Sequence, residues 1–304
     1  MMGIRNVPVA AAAAAAAAAA IAIAALPVAA QDKAASPAPA AAAKVQPFAM
    51  PQTDSWELTS DGGEVYRIFV SFPITPPPAD GWPVLYVLDG NAEFAGFAEA
   101  RRVQEYDDVG KGIVVGVGYP TDQVYDSRRL YDYAPKIPNP PPPGMERFAK
   151  LRSGGQDPFV AFLTGKLRAE IARRYTINPH RQSLFGHSLG GLLALHALYT
   201  RSDAFNAIVA ASPSLAWNGQ SVLPLEREFT ARLVAGKIAR PSRLMVVVGG
   251  QEGGAETAAS FARRIDRLSG YGLRSQFRLY GEEGHMSVPS RAVTDTLRFV
   301  FGAR

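Results

Sequence analysis

Apolar and polar positions alternate twice near residue 60 and then give way to unbroken apolar runs. Trp56-Glu57-Leu58-Thr59 and Val65-Tyr66-Arg67-Ile68-Phe69-Val70-Ser71-Phe72 alternate as half-buried antiparallel strands do, with Asp61-Gly62-Gly63 as the turn between them. Val84 to Leu88, Ile113 to Val117, Ala207 to Ala211 and Leu244 to Val248 are continuously apolar, the pattern of strands covered on both faces. Ser183-Leu184-Phe185 is a shorter run of the same kind, and Gln276 to Tyr280 reads as a last strand. Helical spacing fills the gaps: Phe94 to Val103, Phe159 through Ile171 to about Tyr175, Leu192 to Tyr199, Leu225 to Val234, Phe261 to Leu268, and Val293 to Phe301. Buried strands alternating with helices predict an α/β fold: a mostly parallel central sheet with antiparallel N-terminal strands and helices on both faces. Ligands on such a sheet sit beyond the carboxyl ends of the strands.

From Gly118 to about Asp157 the periodicity fails. This stretch holds Tyr119, Tyr125, Arg128, Arg129, Tyr131, Tyr133 and the run Pro140-Pro141-Pro142-Pro143. A loop of that length inside a compact domain is usually functional. Upstream of the first strand, Arg5 precedes an apolar, mostly alanine run from Val7 to Ala25, and Val28-Ala29-Ala30 forms a small-x-small site. The expectation is a signal peptide over 1–30, a disordered Ala/Pro linker over 31–47 and a catalytic domain over 48–304. The protein would then be periplasmic or secreted, with no stable membrane insertion after cleavage. The alternative is a retained anchor, because the run is long enough to span a bilayer.

Composition narrows the chemistry. With 47% hydrophobic and 19% charged residues among 304, the chain is that of a globular protein. The net charge of +5 is spread without a Lys/Arg block, so nucleic-acid binding has no support. Zero cysteines exclude disulfides, thiolate metal sites and a cysteine nucleophile. The four histidines show no i, i+4 pair and no ligand spacing, so neither metal nor cofactor is expected.

One stretch carries a recognisable device. Gly186-His187-Ser188-Leu189-Gly190 follows the Ser183–Phe185 run and opens onto the Leu192–Tyr199 helix, which is the strand–turn–helix context of a G-x-S-x-G nucleophile elbow. The sharp turn presents the Ser188 hydroxyl, and the start of the helix aims N–H groups at developing negative charge. A serine needs a base. His187 reads as a packing or loop residue turned away from Ser188, His196 as structural in the following helix, and His180 as structural in the turn Asn178-Pro179-His180. His285, in Gly284-His285-Met286 between the last strand and the last helix, fits the chain order Ser, acid, His of α/β-hydrolases. The acid expected between them is Glu252, after the Val246–Val248 run, with Glu256 as the fallback. The oxyanion hole needs the Leu189 amide and a second amide from Gly90 or Asn91.

Six motifs in register then resemble a known family: Tyr86-Val87-Leu88-Asp89-Gly90-Asn91, Val115-Gly116-Val117-Gly118-Tyr119, Arg128 through Pro135, Gly186 through Gly191, Ser212-Pro213-Ser214-Leu215, and Gly284 through Pro289. Together they resemble the esterase family of α/β-hydrolases, and within it the periplasmic trilactone siderophore esterases related to enterobactin and salmochelin esterases. The resemblance implies an α/β-hydrolase fold and ester hydrolysis through Ser188 and His285 by way of an acyl-enzyme. It also implies a small-molecule ester as substrate, with a ferric siderophore as the family's example, and Arg128, Arg129 and Tyr133 facing the substrate. Against that, one of the arginines could instead tie down the loop through Asp126 or Asp132. Some members of the family work with a Ser–His dyad, which leaves the role of Glu252 open. Ala216-Trp217 stands where paired tryptophans are often found, and the four prolines of the long loop are a further departure. Acyl transfer of the mycolyltransferase type, or a catalytically idle ligand-binding homologue, remains the alternative.

Overall fold

The alternating runs pair as their pattern requires: β1 (Thr53–Thr59) and β2 (Val65–Ser71) are antiparallel, with Trp56 opposite Ile68. The structure is a computed structural model that describes residues 48–107 and 109–302. The expected signal peptide and linker lie outside the described residues. After β2 the chain continues through β3 (Trp82–Leu88), α1 (Gly90–Gln104), β4 (Ile113–Gly118), α2 (Arg129–Tyr133), α3 (Gln156–Phe162) and α4 (Arg168–Arg174). Then come β5 (Ile177–His187), α5 (Leu189–Thr200), β6 (Ala207–Ala211), α6 (Trp217–Gln220), α7 (Leu223–Val234), β7 (Arg243–Gly249), α8 (Ala255–Asp266), β8 (Ser275–Tyr280) and α9 (Val288–Phe301).

The described residues form one eight-stranded sheet in the order β1-β2-β4-β3-β5-β6-β7-β8. Neighbours from β4 to β8 are parallel, and β2 is antiparallel to both β1 and β4. This is the α/β-hydrolase type of sheet. Because strand side chains alternate, each buried strand feeds two cores. Leu85, Val87, Phe185, Val209 and Val247 face α1 and α9, while Tyr86, Leu88, Leu184, Ile208 and Val246 face α3, α5, α7 and α8. Each such side chain contributes about 1.5–3 kcal/mol by leaving water. Helix α5 is buried from Leu189 through Tyr199, which is why its sequence is apolar on every side instead of striped.

The connection after β3 leads to β4 on one side, and that after β5 leads to β6 on the other. The crevice between β3 and β5 is therefore the topological switch point, where an open parallel sheet places its ligands.

Four local expectations change. Helix α1 begins at Gly90, not Phe94, so Gly90 and Asn91 belong to its first turn. The long aperiodic stretch is partly ordered by α2 and by a single 3-10 turn at Glu146–Phe148. Helices α3 and α4 are one continuous rod interrupted by a π-helical turn, Leu163–Leu167. His180 lies on β5, not in a turn: the strand starts at Ile177 and carries extra residues between the pairs Trp82–Ile177 and Val84–Gln182.

Candidate active site

Strand β5 delivers Ser188 directly into α5, so one residue must absorb the reversal. Ser188 does so at φ 59°, ψ −115°, outside the regions open to ordinary residues. Strand and helix pass so closely here that a Cβ on Gly186 would lie 2.2 Å from the Gly190 carbonyl oxygen, which excludes any larger residue. The turn is clamped on both sides, with the Ser188 amide donating to Ala211 O (2.9 Å) and Ser188 O accepting from the Ser214 amide (3.1 Å). Asp89 (φ 52°) and Ser212 (φ 40°), at the ends of the neighbouring strands β3 and β6, are left-handed as well. Three non-glycine residues held in that region at adjacent strand ends mark a site that the surrounding packing overrides.

His285, on the connection from β8 to α9, places Nε2 3.1 Å from Ser188 Oγ. Its Nδ1 lies 2.6 Å from a carboxylate oxygen of Glu252, which follows β7. Glu252 also accepts hydrogen bonds from the Ser212 hydroxyl (2.5 Å) and the Gly249 amide (2.6 Å). Burial pushes the Glu252 pKa up, but these donors and His285 outweigh it and hold the carboxyl below its ordinary value. A carboxylate that accepts from Nδ1–H fixes the tautomer and leaves the Nε2 lone pair toward Ser188. Glu256, the fallback acid, instead bonds Arg263 and Ser260 on the exposed side of α8.

The remaining expected groups meet in the crevice between β3 and β5. Val87 pairs with Phe185, so the same register carried forward brings Gly90 level with Ser188. A Cβ on Gly190 would lie 3.5 Å from the Asp89 carboxylate, which confirms that the two strand ends stay side by side. The first turns of α1 and α5 thus flank Ser188, and their leading amides, Gly90, Asn91 and Leu189 among them, have no carbonyl one turn back to bond. The Asn91 side chain is engaged elsewhere, bridging Tyr119 and Thr121 at the exit of β4.

The loop residues expected to face substrate are held by the fold. Arg128 lies over the rings of Tyr66 (4.6 Å) and Tyr119 (4.7 Å), donates to Val65 O, and has Glu64 and Asp132 at 3.6 and 3.7 Å. Arg129 grips Asp89 through two hydrogen bonds of 2.8 Å. Burial works against the Arg129 charge, but the bonds to Asp89 outweigh it and raise its pKa above the ordinary arginine value. Tyr133 is a correction: it has no exposed surface, so it cannot touch a substrate, and its hydroxyl accepts the Asp89 amide (3.1 Å). The cause is α2, which turns Tyr133 inward onto Phe159.

The Arg129–Asp89 pair yields a prediction. Arg129→Leu leaves a buried carboxylate uncompensated beside the crevice, at a cost of about 3–5 kcal/mol in stability. Asp89→Asn in the same chain should recover most of that loss in thermal unfolding. A single variant as stable as the parent would show that the pair is not holding the turn.

Sequence reasoning gave no role to two groups: Ser212 holds Glu252, and Ser214 Oγ lies 3.4 Å from Ser188 Oγ. Both come from Ser212-Pro213-Ser214, a motif visible in the chain without a role attached to it. His187, expected as a packing or loop residue, has its ring 4.6 Å from the His285 ring. His187 is buried, and its pKa is lowered to about 4 by that burial and by the proximity of His285, so it is neutral at neutral pH and places no charge against its neighbour. Among the described residues, no group of three or more His, Asp or Glu side chains is arranged to hold a metal ion.

The family model described as "Putative esterase" matches residues 62–287, a span that takes in Gly90, Ser188, Glu252 and His285. The chain belongs to this family. It is a carboxylic-ester hydrolase. The esterase is 35% identical over 263 residues to the ferri-bacillibactin esterase BesA of Bacillus subtilis, covering 83% of this chain and 90% of that protein. It is also 35% identical over 215 residues to the siderophore triacetylfusarinine C esterase of Aspergillus fumigatus, covering 68% and 70%. Among solved structures, the BES protein of Bacillus cereus superposes on the esterase with a TM-score of 0.79 at 32% identity, over 85% of this chain and 99% of that one.

Proposed function

We propose that this esterase hydrolyses siderophore esters through a covalent acyl-enzyme on Ser188. The observation that carries the reading is the unbroken chain from Ser188 Oγ to His285 Nε2 (3.1 Å) and from His285 Nδ1 to Glu252 (2.6 Å). In the first half-reaction Ser188 Oγ attacks the ester carbonyl while its proton passes to His285 Nε2, and Glu252 stabilises the imidazolium that results. The oxyanion is received by the Leu189 amide and by that of Gly90 or Asn91, each donor worth about 3–4 kcal/mol in the transition state. Collapse expels the alcohol, which takes the proton back from His285. Water then repeats the sequence and frees the acid.

The siderophore part of the reading rests on the relatives, which are named for ferri-bacillibactin and triacetylfusarinine C. The expected grip of Arg128 and Arg129 on an anionic ferric complex has no support in the structure, because carboxylates of the protein already occupy both. Export is proposed from the Val7–Ala25 apolar run and the Val28-Ala29-Ala30 site. Among the described residues, no helix is long and apolar enough to cross a membrane.

The test joins a fluorophosphonate probe to a substrate panel. Mass mapping should place the probe on Ser188, and iron-loaded or iron-free trilactones should be opened faster than feruloyl or short p-nitrophenyl esters, with one solvent oxygen in each acid product. Absence of labelling removes the nucleophile. Labelling with no preference for trilactones keeps the mechanism and removes the substrate.

A further inference from the structure

At the amino edge of the sheet β5 carries extra residues between Ile177 and Gln182 relative to its pairing with β3. Below that irregularity, the segments leading into β6, β7 and β8 enclose a cleft of about 850 Å³. It sits at the amino ends of the strands, whereas Ser188, Glu252 and His285 sit at the carboxyl ends. A five-residue strand such as β6 spans roughly 17 Å, so the two places do not share a wall.

The lining is basic. Arg168, Arg240, Arg243 and Arg274 face the cleft, and among the described residues that line it Asp203 alone carries a carboxylate. Helix C-termini gather at this edge, because each helix runs back antiparallel to the strand before it, and their carbonyls attract cations. Arg168 is engaged by the turn after α5: it donates to Ala204 O (2.7 Å) and lies over the Phe205 ring at 5.5 Å. Arg243 lies over the Phe299 ring at 4.8 Å. No such contact accounts for Arg240 or Arg274. Both are exposed, on separate loops, and among the described residues neither has a hydrogen-bond, ion-pair or ring partner on its side chain. Two unneutralised guanidiniums beside two more, around a space suited to a small molecule, raise the local potential for an anion.

We propose that this cleft binds a polyanion carrying phosphate groups. The guanidinium fork matches two phosphate oxygens at once, and several forks spread over one cleft select a ligand with more than one anionic group. The exposed Tyr271 stands at the rim and adds an apolar wall. A soluble oligophosphate and the phosphate headgroup of a lipid share this chemistry.

Calorimetric titration of the full chain with inorganic tripolyphosphate, at constant ionic strength, should show one saturable site. Arg240→Glu with Arg274→Glu should weaken it by at least about tenfold, while p-nitrophenyl ester turnover stays at the parental rate. Both positions are exposed and unpaired, so the variant keeps its fold. Co-sedimentation with phosphatidylglycerol vesicles but not phosphatidylcholine vesicles, lost in the variant, assigns the phosphate to a lipid headgroup; tripolyphosphate binding without co-sedimentation assigns it to a soluble ligand. The proposal is overturned if the parent shows no saturable binding, if the variant binds as the parent does, or if citrate binds more tightly than tripolyphosphate.

Discussion

Ser188→Ala should lower p-nitrophenyl ester turnover by roughly 10⁴-fold or more, about 5.5 kcal/mol of transition-state stabilisation, while leaving the protein folded. In the proposed mechanism the hydroxyl is the group that bonds to carbon, and what remains without it is the rate that the oxyanion donors and binding supply alone. Stability should hardly move. Alanine meets the same backbone strain at φ 59° that serine does, and the hydroxyl's contacts with His285 and Ser214 lie at a partly open surface. Ser188→Gly separates the two effects: it too should be inactive, but relief of the left-handed strain should stabilise it by about 1 kcal/mol. Steady-state assays and thermal unfolding on the two variants check both halves. A Ser188→Ala protein that retains turnover would move the nucleophile elsewhere, and Ser214 would be the first residue to examine.

Glu252→Gln should reduce kcat by about 10²–10⁴ with little change in KM. The substituted amide can turn its NH₂ toward His285 Nδ1, which then becomes an acceptor and moves the imidazole proton to Nε2, where the Ser188 proton must go. The Ser212 hydroxyl and Gly249 amide both donate to the carboxylate oxygen that His285 does not use, so they hold the glutamine carbonyl in that place and direct its NH₂ at Nδ1. A loss smaller than about tenfold would mean that Ser188 and His285 work as a pair and that the carboxylate mainly positions the loop.

The strands and the order of the candidate catalytic groups were legible because each is written locally. Ala207–Ala211 is apolar throughout, since both of its faces are covered. Ser188, Glu252 and His285 follow β5, β7 and β8, in the order Ser, acid, His. Three kinds of information were not local. The start of α1 was hidden because Gly90 and Asn91 are turn residues by propensity, yet the left-handed Asp89 turns the chain straight into a helix. The start of β5 was hidden because Asn178-Pro179-His180 has the composition of a turn, and the irregular pairing with β3 accommodates it within a strand. The fate of the arginines was hidden because Arg129 meets a carboxylate forty positions away in sequence. The alternative that loop arginines are tied down was already visible, but its partner for Arg129 was not among those the loop itself offered.

About two-fifths of the His285 side chain is open to solvent, against under a tenth for Glu252. In the proposed mechanism the imidazole that activates the second nucleophile is thus within reach of bulk liquid. On that reading abundance, not fit, decides what resolves the proposed acyl-enzyme: small alcohols added to the medium should be acylated in proportion to their concentration, and in plain buffer the acid should be the sole product.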